Sequence, residues 1–313
     1  MLLNAAAGQG RTDVMEQRIQ ERCAALGYEA RITASKDLSS LILIAQKALE
    51  QGVESMVVGG GDGTLSQIAG LLVKAEIPLG VLPLGTFNHF ARDLGIPLPL
   101  EEALGVALTG RVERCDVGEV NGRVFLNNSS LGLYPLIVRL RAQHPVRGPA
   151  KWAVAAWATL REIRHGREIA VRVNSDAGVV VRRTPIVFIG NNEYRAEGLD
   201  LGTRASLHDG ILSIYIVKSG GKRHLLRLAW RMLTRRVEDQ ELEVLLVEEA
   251  TLETGATRLQ LAIDGDVEQL TTPLRYRIRP AALRVRVPPA SVPSDDAPPP
   301  DRRYRPTTTT PPP

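Results

Sequence analysis

"VESMVVGGGDGTLSQIAGLLVKA", residues 53–75, carries the pattern on which the reading of this chain turns. "VESMVVGG" reads as a short buried strand, and "TLSQIAGLLVKA" as a helix with a recurrent apolar face. Between them lies a glycine-rich turn with a single carboxylate, Asp62. A strand that runs through such a turn directly into a helix brings several backbone N–H groups and the positive end of the helix to one point, which is an anion site by geometry. No Gly-Lys-Ser/Thr follows, so the turn is not a Walker loop. Thr64 stands where the dinucleotide fingerprint needs its last glycine. An acid beside a bound polyphosphate is repelled unless a cation intervenes. Asp62 therefore argues for a phosphate-bearing ligand carried with Mg²⁺, which takes carboxylate and phosphate oxygens together. A tight turn with Asp62 as a helix-capping residue is the alternative.

Outward from this turn the first 115 residues alternate strand and helix signals. "LILIAQKALEQG" (41–52) reads as a helix ending at Gly52, and "PLGVLPLG" (78–85) as another short strand. The alternation predicts βαβ units and a parallel sheet. "MLLNAAAG" at the start offers only a very short first strand, or else the true start lies upstream. The next strand ends in "LPLGTFNHFARDLGIP" (82–97), which places Gly85, Thr86 and Asn88 at the same sheet edge as the first turn. That edge is where open α/β sheets bind ligands.

From about Asp116 the pattern changes. "DVGEVNGRVFLNNSS" holds Asn-Gly between alternating segments, a strong hairpin signal. Strands are expected in "REIAVRVNSDAGVVVRRTPIVFIG", "GILSIYIV", "LEVLLVEEATLE", "TRLQLAIDGD" and "LRVRVP", with helices near 150–165 and 222–236. The expected architecture is an α/β nucleotide-binding domain over residues 1–115 and a β-rich, antiparallel, sandwich-like domain over 116–287, with the site in the cleft between them. Residues 288–313 hold ten of the twenty prolines and the run "TTTT", and are expected to form a disordered tail.

Composition sets the outer bounds. At 313 residues, 44% hydrophobic and 24% charged, the chain is long enough for two domains with real cores. Cys23 and Cys115 match no zinc or redox spacing and read as buried thiols of a reducing compartment. The N-terminus lacks the pattern of a secretory signal, and no apolar run approaches the ~20 residues that span a bilayer, so a soluble, cytoplasmic protein is expected. A formal charge of +4 does not suggest a nucleic-acid partner. Within residues 219–237, however, "GGKRHLLRLAWRMLTRR" carries six Lys or Arg and no acid. On a helix, Arg223, Arg227, Arg231 and Arg235 would form a basic stripe beside Leu and Trp, suited to peripheral contact with an anionic membrane on its inner face. An ordinary helix packed on the second domain is the alternative. Oligomeric state is not legible.

"GGDGT" (60–64) paired with "LGTFNHFARDLGIP" resembles the catalytic domain shared by diacylglycerol kinases, sphingosine kinases and bacterial lipid kinases, which are relatives of NAD kinases. The likeness continues at "FLNNSSLG", "GNNEYRAEGLDLGTRASLHDGIL" and "IDGD", spanning roughly residues 4–287. The resemblance implies that Gly60, Gly61, Asp62, Gly63 and Thr64 cradle the phosphates of ATP, with hydroxyl contacts from Thr86 and Thr33. It places Asn4 in an N-terminal Asn-Pro-x-x-Gly turn, from which this chain departs with Ala5 in place of proline. It also implies a structural Mg²⁺ held by the Asp209 carboxylate with the backbone carbonyls of Ser206 and Ile211; a plain hairpin turn is the alternative. His208 beside it matches no metal spacing.

Transfer of a phosphoryl group to a hydroxyl needs a base for the hydroxyl proton. "IDGDVEQL" (263–270) supplies Asp264 and Asp266 around Gly265. The resembled family has Asp-Gly-Glu here, with an acid of the trio as proton acceptor, which implies Asp266, or next to it Asp264. A solvated Asp-Gly-Asp hairpin turn is the bland reading. The implied reaction is ATP plus a lipid alcohol giving a lipid phosphate, with diacylglycerol as first acceptor and phosphatidylglycerol or a sphingoid base next. An NAD kinase would pair "GGDGT" with an Asn-Glu segment and a Gly-Ser-Thr-Ala-Tyr-like stretch, neither of which is read here. A nucleotide-binding regulator without turnover is the rival from another class.

Overall fold

A computed structural model describes residues 1–6, 12–136, 138, 168–194, 204, 206–220 and 242–289. The expected helices near 150–165 and 222–236, the latter with Arg223, Arg227, Arg231 and Arg235, lie outside the described residues, as does the tail from residue 290. Among the described residues no helix is long and apolar enough to cross a membrane.

The N-terminal part alternates as the sequence predicts. It runs β1 (Leu2–Asn4), α1 (Thr12–Ala25), β2 (Thr33–Ser35), α2 (Leu38–Glu50), β3 (Met56–Gly60), α3 (Asp62–Ala75), β4 (Leu79–Pro83), α4 (His89–Asp93) and α5 (Leu100–Thr109). Local chemistry sets the boundaries. Asp37 caps α2 by accepting the N–H groups of Ser39 and Ser40 at 3.3 and 2.9 Å, and Gly52 follows its end at φ 77°. All five residues of β3 and of β4 are buried, as befits central strands of a sheet covered on both faces. β2, β1, β3 and β4 pair in parallel in that order. The pairings Leu2–Val58 and Gly60–Pro83 bring the ends of β1, β3 and β4 level at one edge.

The Asn-Gly hairpin joins β5 (Arg111–Val120) to β6 (Arg123–Phe125), with Asn121 at φ 47° and Gly122 at φ 85°. Positive φ at both central residues is the geometry that matches the twist of the flanking strands. After β7 (Asn128–Gly132) come β8 (Ile169–Ser175), β9 (Gly178–Thr184), β10 (Ile186–Asn191), β11 (Leu212–Val217), β12 (Leu242–Val247), β13 (Glu249–Thr254), β14 (Arg258–Ile263), β15 (Asp266–Thr271) and β16 (Leu274–Val287). A second sheet takes six of these in the order β12-β11-β10-β7-β14-β15, all antiparallel.

The division into domains is less simple than the linear pattern. β16 pairs in parallel with β4 through Val285–Leu79 and antiparallel with β5, so the end of the chain completes the first sheet. Among the described residues that sheet is mixed and has ten strands, reaching through β13 and β8 to β9. The expected division at 115/116 falls inside β5. Two segments read as continuous strand runs instead change sheets midway. β9 passes to β10 at Pro185, and β12 to β13 at Glu248. β15 went unassigned in the sequence because its polar residues follow the Asp-Gly turn without an apolar period.

β5 and β16 serve two cores. Cys115, Val117, Leu283, Val285 and Val287 pack with α3, α5 and the parallel strands, whereas Val120, Leu274, Tyr276 and Ile278 pack between the sheets of the sandwich. Both cysteines are free and buried, and burial pushes the Cys115 thiol up to about 12. Leu283 is fully buried, so Leu283→Ala should cost about 2–5 kcal/mol. Because β16 stitches the parts together, urea unfolding followed by circular dichroism and by hydrogen exchange of the β3 and β11 amides should show one shared loss of stability.

Candidate active site

The two glycine loops meet. Gly60 ends β3 and Gly61 precedes α3, whose first-turn N–H groups have no partner within the helix. A Cβ on Gly85 would lie 2.5 Å from the Cα of Gly61, so only glycine allows the second loop to approach the first. Asn88 shapes that second loop from within: its Oδ1 accepts the Gly85 N–H at 2.9 Å, and its Nδ2 donates to the carbonyls of Pro83 and Gly85. It is buried, and its amide serves its own loop. Thr86 is exposed at the rim.

Asp62 joins the loops by capping a helix other than its own. Its Oδ2 accepts the N–H of His89 at 3.2 Å, and its Oδ1 accepts the N–H of Phe90 at 3.1 Å, at the head of α4. Asn127 Nδ2 adds a third bond to Oδ1, at 3.2 Å. The carboxylate expected to answer a metal-bound phosphate is thus held by three donors of the protein. Asp62 does act as a helix cap, but of α4 rather than of the α3 turn in which it stands.

Asn4 lies at the level of Gly60 and donates from Nδ2 to the Thr64 hydroxyl at 2.8 Å. Its Oδ1 accepts the Ala6 N–H at 3.0 Å, closing the turn after β1. The Ala5 N–H donates to the Ser35 carbonyl at 2.9 Å, a bond that proline at this position would lack. Thr33 is set further back, opposite Leu2, and Ser35 stands level with Asn4.

The acids of "IDGD" form a hairpin turn between β14 and β15, with Asp264 at φ 47° and Gly265 at φ 91°. Neither acid is freely solvated. Asp264 is 8% exposed; its Oδ2 accepts the N–H of Leu126 at 2.7 Å, and its Oδ1 those of Asn127 and Asn128 at 2.8 and 3.0 Å. Burial pushes its carboxyl above the ordinary range while the three N–H groups pull it back. Asp266 points elsewhere. It sits so close to Gly63 that a Cβ on residue 63 would overlap its carboxylate. Residues 63 and 266, some two hundred positions apart, thus form one site. Burial raises the Asp266 carboxyl above its usual range; the positive charge of Arg123 lowers it and Glu268 raises it further.

The residues that hold this arrangement were not singled out in the sequence. Arg204 is wholly buried and pairs with Asp93 of α4 at 2.7 Å. It also donates to the carbonyls of Leu126 and Asn191 at 2.5 and 3.2 Å, and to Asn127 Oδ1 at 2.9 Å. The Tyr194 ring lies 5.8 Å from its guanidinium. Burial pushes the Asp93 carboxyl up and the Arg204 charge counters it. Asp116 plays a similar part at "HDGI", accepting the N–H groups of Gly210 and Ala281 at 2.8 Å each. The only signal available was the presence of charged residues inside apolar stretches, which does not name a partner.

Asp209 is exposed beside that turn. The Ile211 carbonyl accepts the Asn192 N–H at 2.9 Å, and His208 pairs with Glu113 at 2.7 Å. Among the described residues no group of three or more His, Cys, Asp and Glu side chains comes together to hold a metal. One sequence reading needs correction. Asn192-Glu193 is an Asn-Glu pair. Its neighbour Asn191 braces the fold by donating to the carbonyls of Asp116 and Leu126 at 2.9 and 2.8 Å.

A βαβ crevice with a glycine turn whose geometry suits an anion, closed by a carboxylate from a β-sandwich hairpin, is an arrangement suited to phosphotransfer. Comparison with known proteins agrees. Residues 1–120 match the family model described as the diacylglycerol kinase catalytic domain, and residues 138–287 match that of the YegS C-terminal NAD kinase beta sandwich-like domain. The chain belongs to this diacylglycerol kinase family of lipid kinases. Diacylglycerol kinase of Staphylococcus aureus (strain bovine RF122 / ET3-1) is 29% identical over 250 residues, covering 77% of this chain and 76% of that protein. The crystal structure of a diacylglycerol kinase from Bacillus anthracis str. Sterne shares the fold, with a TM-score of 0.67 at 23% identity over 93% of this chain and 97% of that one. A further solved structure from the same organism gives a TM-score of 0.73 at 25% identity, covering 93% and 97%.

Arg204→Met should strand Asp93 without its counter-charge and cost about 3–5 kcal/mol in urea unfolding. Adding Asp93→Leu to the same chain should recover part of that loss, because the stranded charge goes with it.

Proposed function

We propose that this chain transfers the γ-phosphate of ATP to the hydroxyl of diacylglycerol, giving phosphatidic acid. The observation that carries the reading is the contact of the Asp266 carboxylate with Gly63, inside the turn suited to phosphates. The Staphylococcus aureus relative, named a diacylglycerol kinase, supports this acceptor over phosphatidylglycerol or a sphingoid base.

In this mechanism the N–H groups of Gly61, Asp62, Gly63 and Thr64 and the head of α3 receive the phosphates. Asn4 orients the Thr64 hydroxyl, and exposed Thr86 lines the rim. Asp62 keeps the two loops at a fixed separation, and Asn88 holds the shape of the second. Thr33 belongs to the outer part of the nucleotide site, behind Asn4. Asp266 takes the proton of the lipid hydroxyl as the oxygen–phosphorus bond forms; Asp264 holds the hairpin that presents it. A base must be ionised, so burial, by raising the Asp266 carboxyl, moves the acid limb of activity above that of an ordinary aspartate near ~3.9.

The kinase family implies a divalent metal with ATP. We assign it as Mg²⁺, which when bound neutralises phosphate charge. A second, structural Mg²⁺ fits the all-oxygen donors of Asp209, Ser206 and Ile211; the Asp209 carboxylate accepts no hydrogen bond from the described residues, and the Ile211 carbonyl keeps one lone pair beside its bond to Asn192. The division of labour follows the chain: residues 1–115 bind nucleotide, 116–287 bring the acceptor and the acids, and the basic run from Arg223 to Arg235 meets the membrane that holds the lipid.

Purified protein with labelled ATP should label diacylglycerol in a panel that includes phosphatidylglycerol, a sphingoid base and NAD; label in NAD alone would overturn the lipid assignment. Asp266→Asn should lower turnover by about 100- to 10,000-fold while ATP still binds, and wild-type activity should fall as pH drops through the raised pKa of Asp266.

A further inference from the structure

β15 touches α3 at two matched positions. Asp266 and Glu268 are two apart on the strand and so share a face, and Gly63 and Gln67 are four apart on the helix and also share a face. Asp266 meets Gly63, and Glu268 Oε1 accepts from Gln67 Nε2 at 3.2 Å. The same oxygen accepts from Arg123 Nε at 2.9 Å. Arg123 opens β6, which also packs on α3: the Ser66 hydroxyl and Arg123 Nη1 both donate to the Val124 carbonyl, at 3.1 and 2.9 Å. The side chains of Arg123 and Glu268 are 16% and 27% exposed, so their charges are poorly screened by water. Arg123 Nη2 is buried without a hydrogen bond, a cost the fold bears to keep this cation in place.

We propose, building on the reading of Asp266 as the base, that Arg123 and Glu268 are positioning residues for phosphoryl transfer. Braced by Gln67, they hold β15 on α3 so that the Asp266 carboxylate stays at the phosphate turn, and they set the charge it feels. The charged groups on the elements packed around Asp266 are Arg123 on β6, Glu268 on β15 and Asp62 at the head of α3, whose carboxylate is committed to α4 and Asn127. Asp264, two residues back, is committed to the N–H groups of residues 126–128. Arg123 is therefore the cation that favours ionised Asp266, and Glu268 is the anion that opposes it, consistent with the direction each gives its carboxyl.

The test is the pH profile of turnover with saturating labelled ATP and diacylglycerol in mixed micelles. Arg123→Met should move the acid limb up by about one pH unit and lower kcat at neutral pH, with the KM for ATP within about twofold of wild type. Arg123→Lys, which keeps the charge, should bring the limb most of the way back. Glu268→Gln keeps an oxygen for Gln67 and Arg123 but loses the negative charge, so its limb should move down. Should Arg123→Met fail to fold, Glu268→Gln and Arg123→Lys decide: a limb coincident with wild type in Glu268→Gln overturns the proposal. Asp266→Asn, assayed alongside, separates the two claims. Retained turnover there removes Asp266 as the base, whereas lost turnover there with unmoved limbs in the Arg123 and Glu268 variants removes only this inference.

Discussion

The chain passes from its first sheet to its second at Leu126-Asn127-Asn128, and the structure depends on how that passage is held. Backbone leaving one sheet for another exposes N–H and carbonyl groups that neither ladder satisfies. Asp264 takes the three N–H groups with one carboxylate, and Arg204 takes the Leu126 carbonyl and the Asn127 side chain. Buried ions are costly unless every partner is supplied. Here each ion supplies what the crossing lacks, and the same contacts reach the site: Arg204 continues to Asp93 of α4, and Asn127 continues to Asp62 of the β3–α3 glycine turn.

Four carboxylates near the crevice illustrate how environment divides the labour of one side-chain type. Asp62 and Asp264 are saturated with donors and act as fixed braces. Asp93 is neutralised by an arginine. Asp266 alone among them accepts no hydrogen bond from the described residues, and burial raises its carboxyl with no N–H group to pull it back. A carboxylate that is to accept a proton must be short of donors, whereas one that fixes backbone must be rich in them.

Much of the fold was legible. The β3–α3 turn, the Asn-Gly hairpin and the alternation before residue 115 follow from local periodicity and turn chemistry, and these are interactions between near neighbours. The changes of sheet at Pro185 and Glu248 were not, since a strand run reads the same whichever sheet receives each half. β16 joining the parallel sheet was hidden for the same reason: a strand's partner is chosen by packing, not by its own residues.

For the site, the sequence by itself determined the chemistry on offer: a glycine turn suited to phosphate, a second glycine loop at the same edge, and an acid pair in "IDGD". The family resemblance put Asp266 ahead of Asp264, but the residues themselves offered no physical ground for that order. Asp264 and Asp266 are identical in composition and two residues apart, yet one is committed to the crossing and the other faces Gly63. Only the tertiary structure decided that, because a side chain's role is set by the donors, charges and water around it, and those come from segments up to about two hundred residues away in the chain.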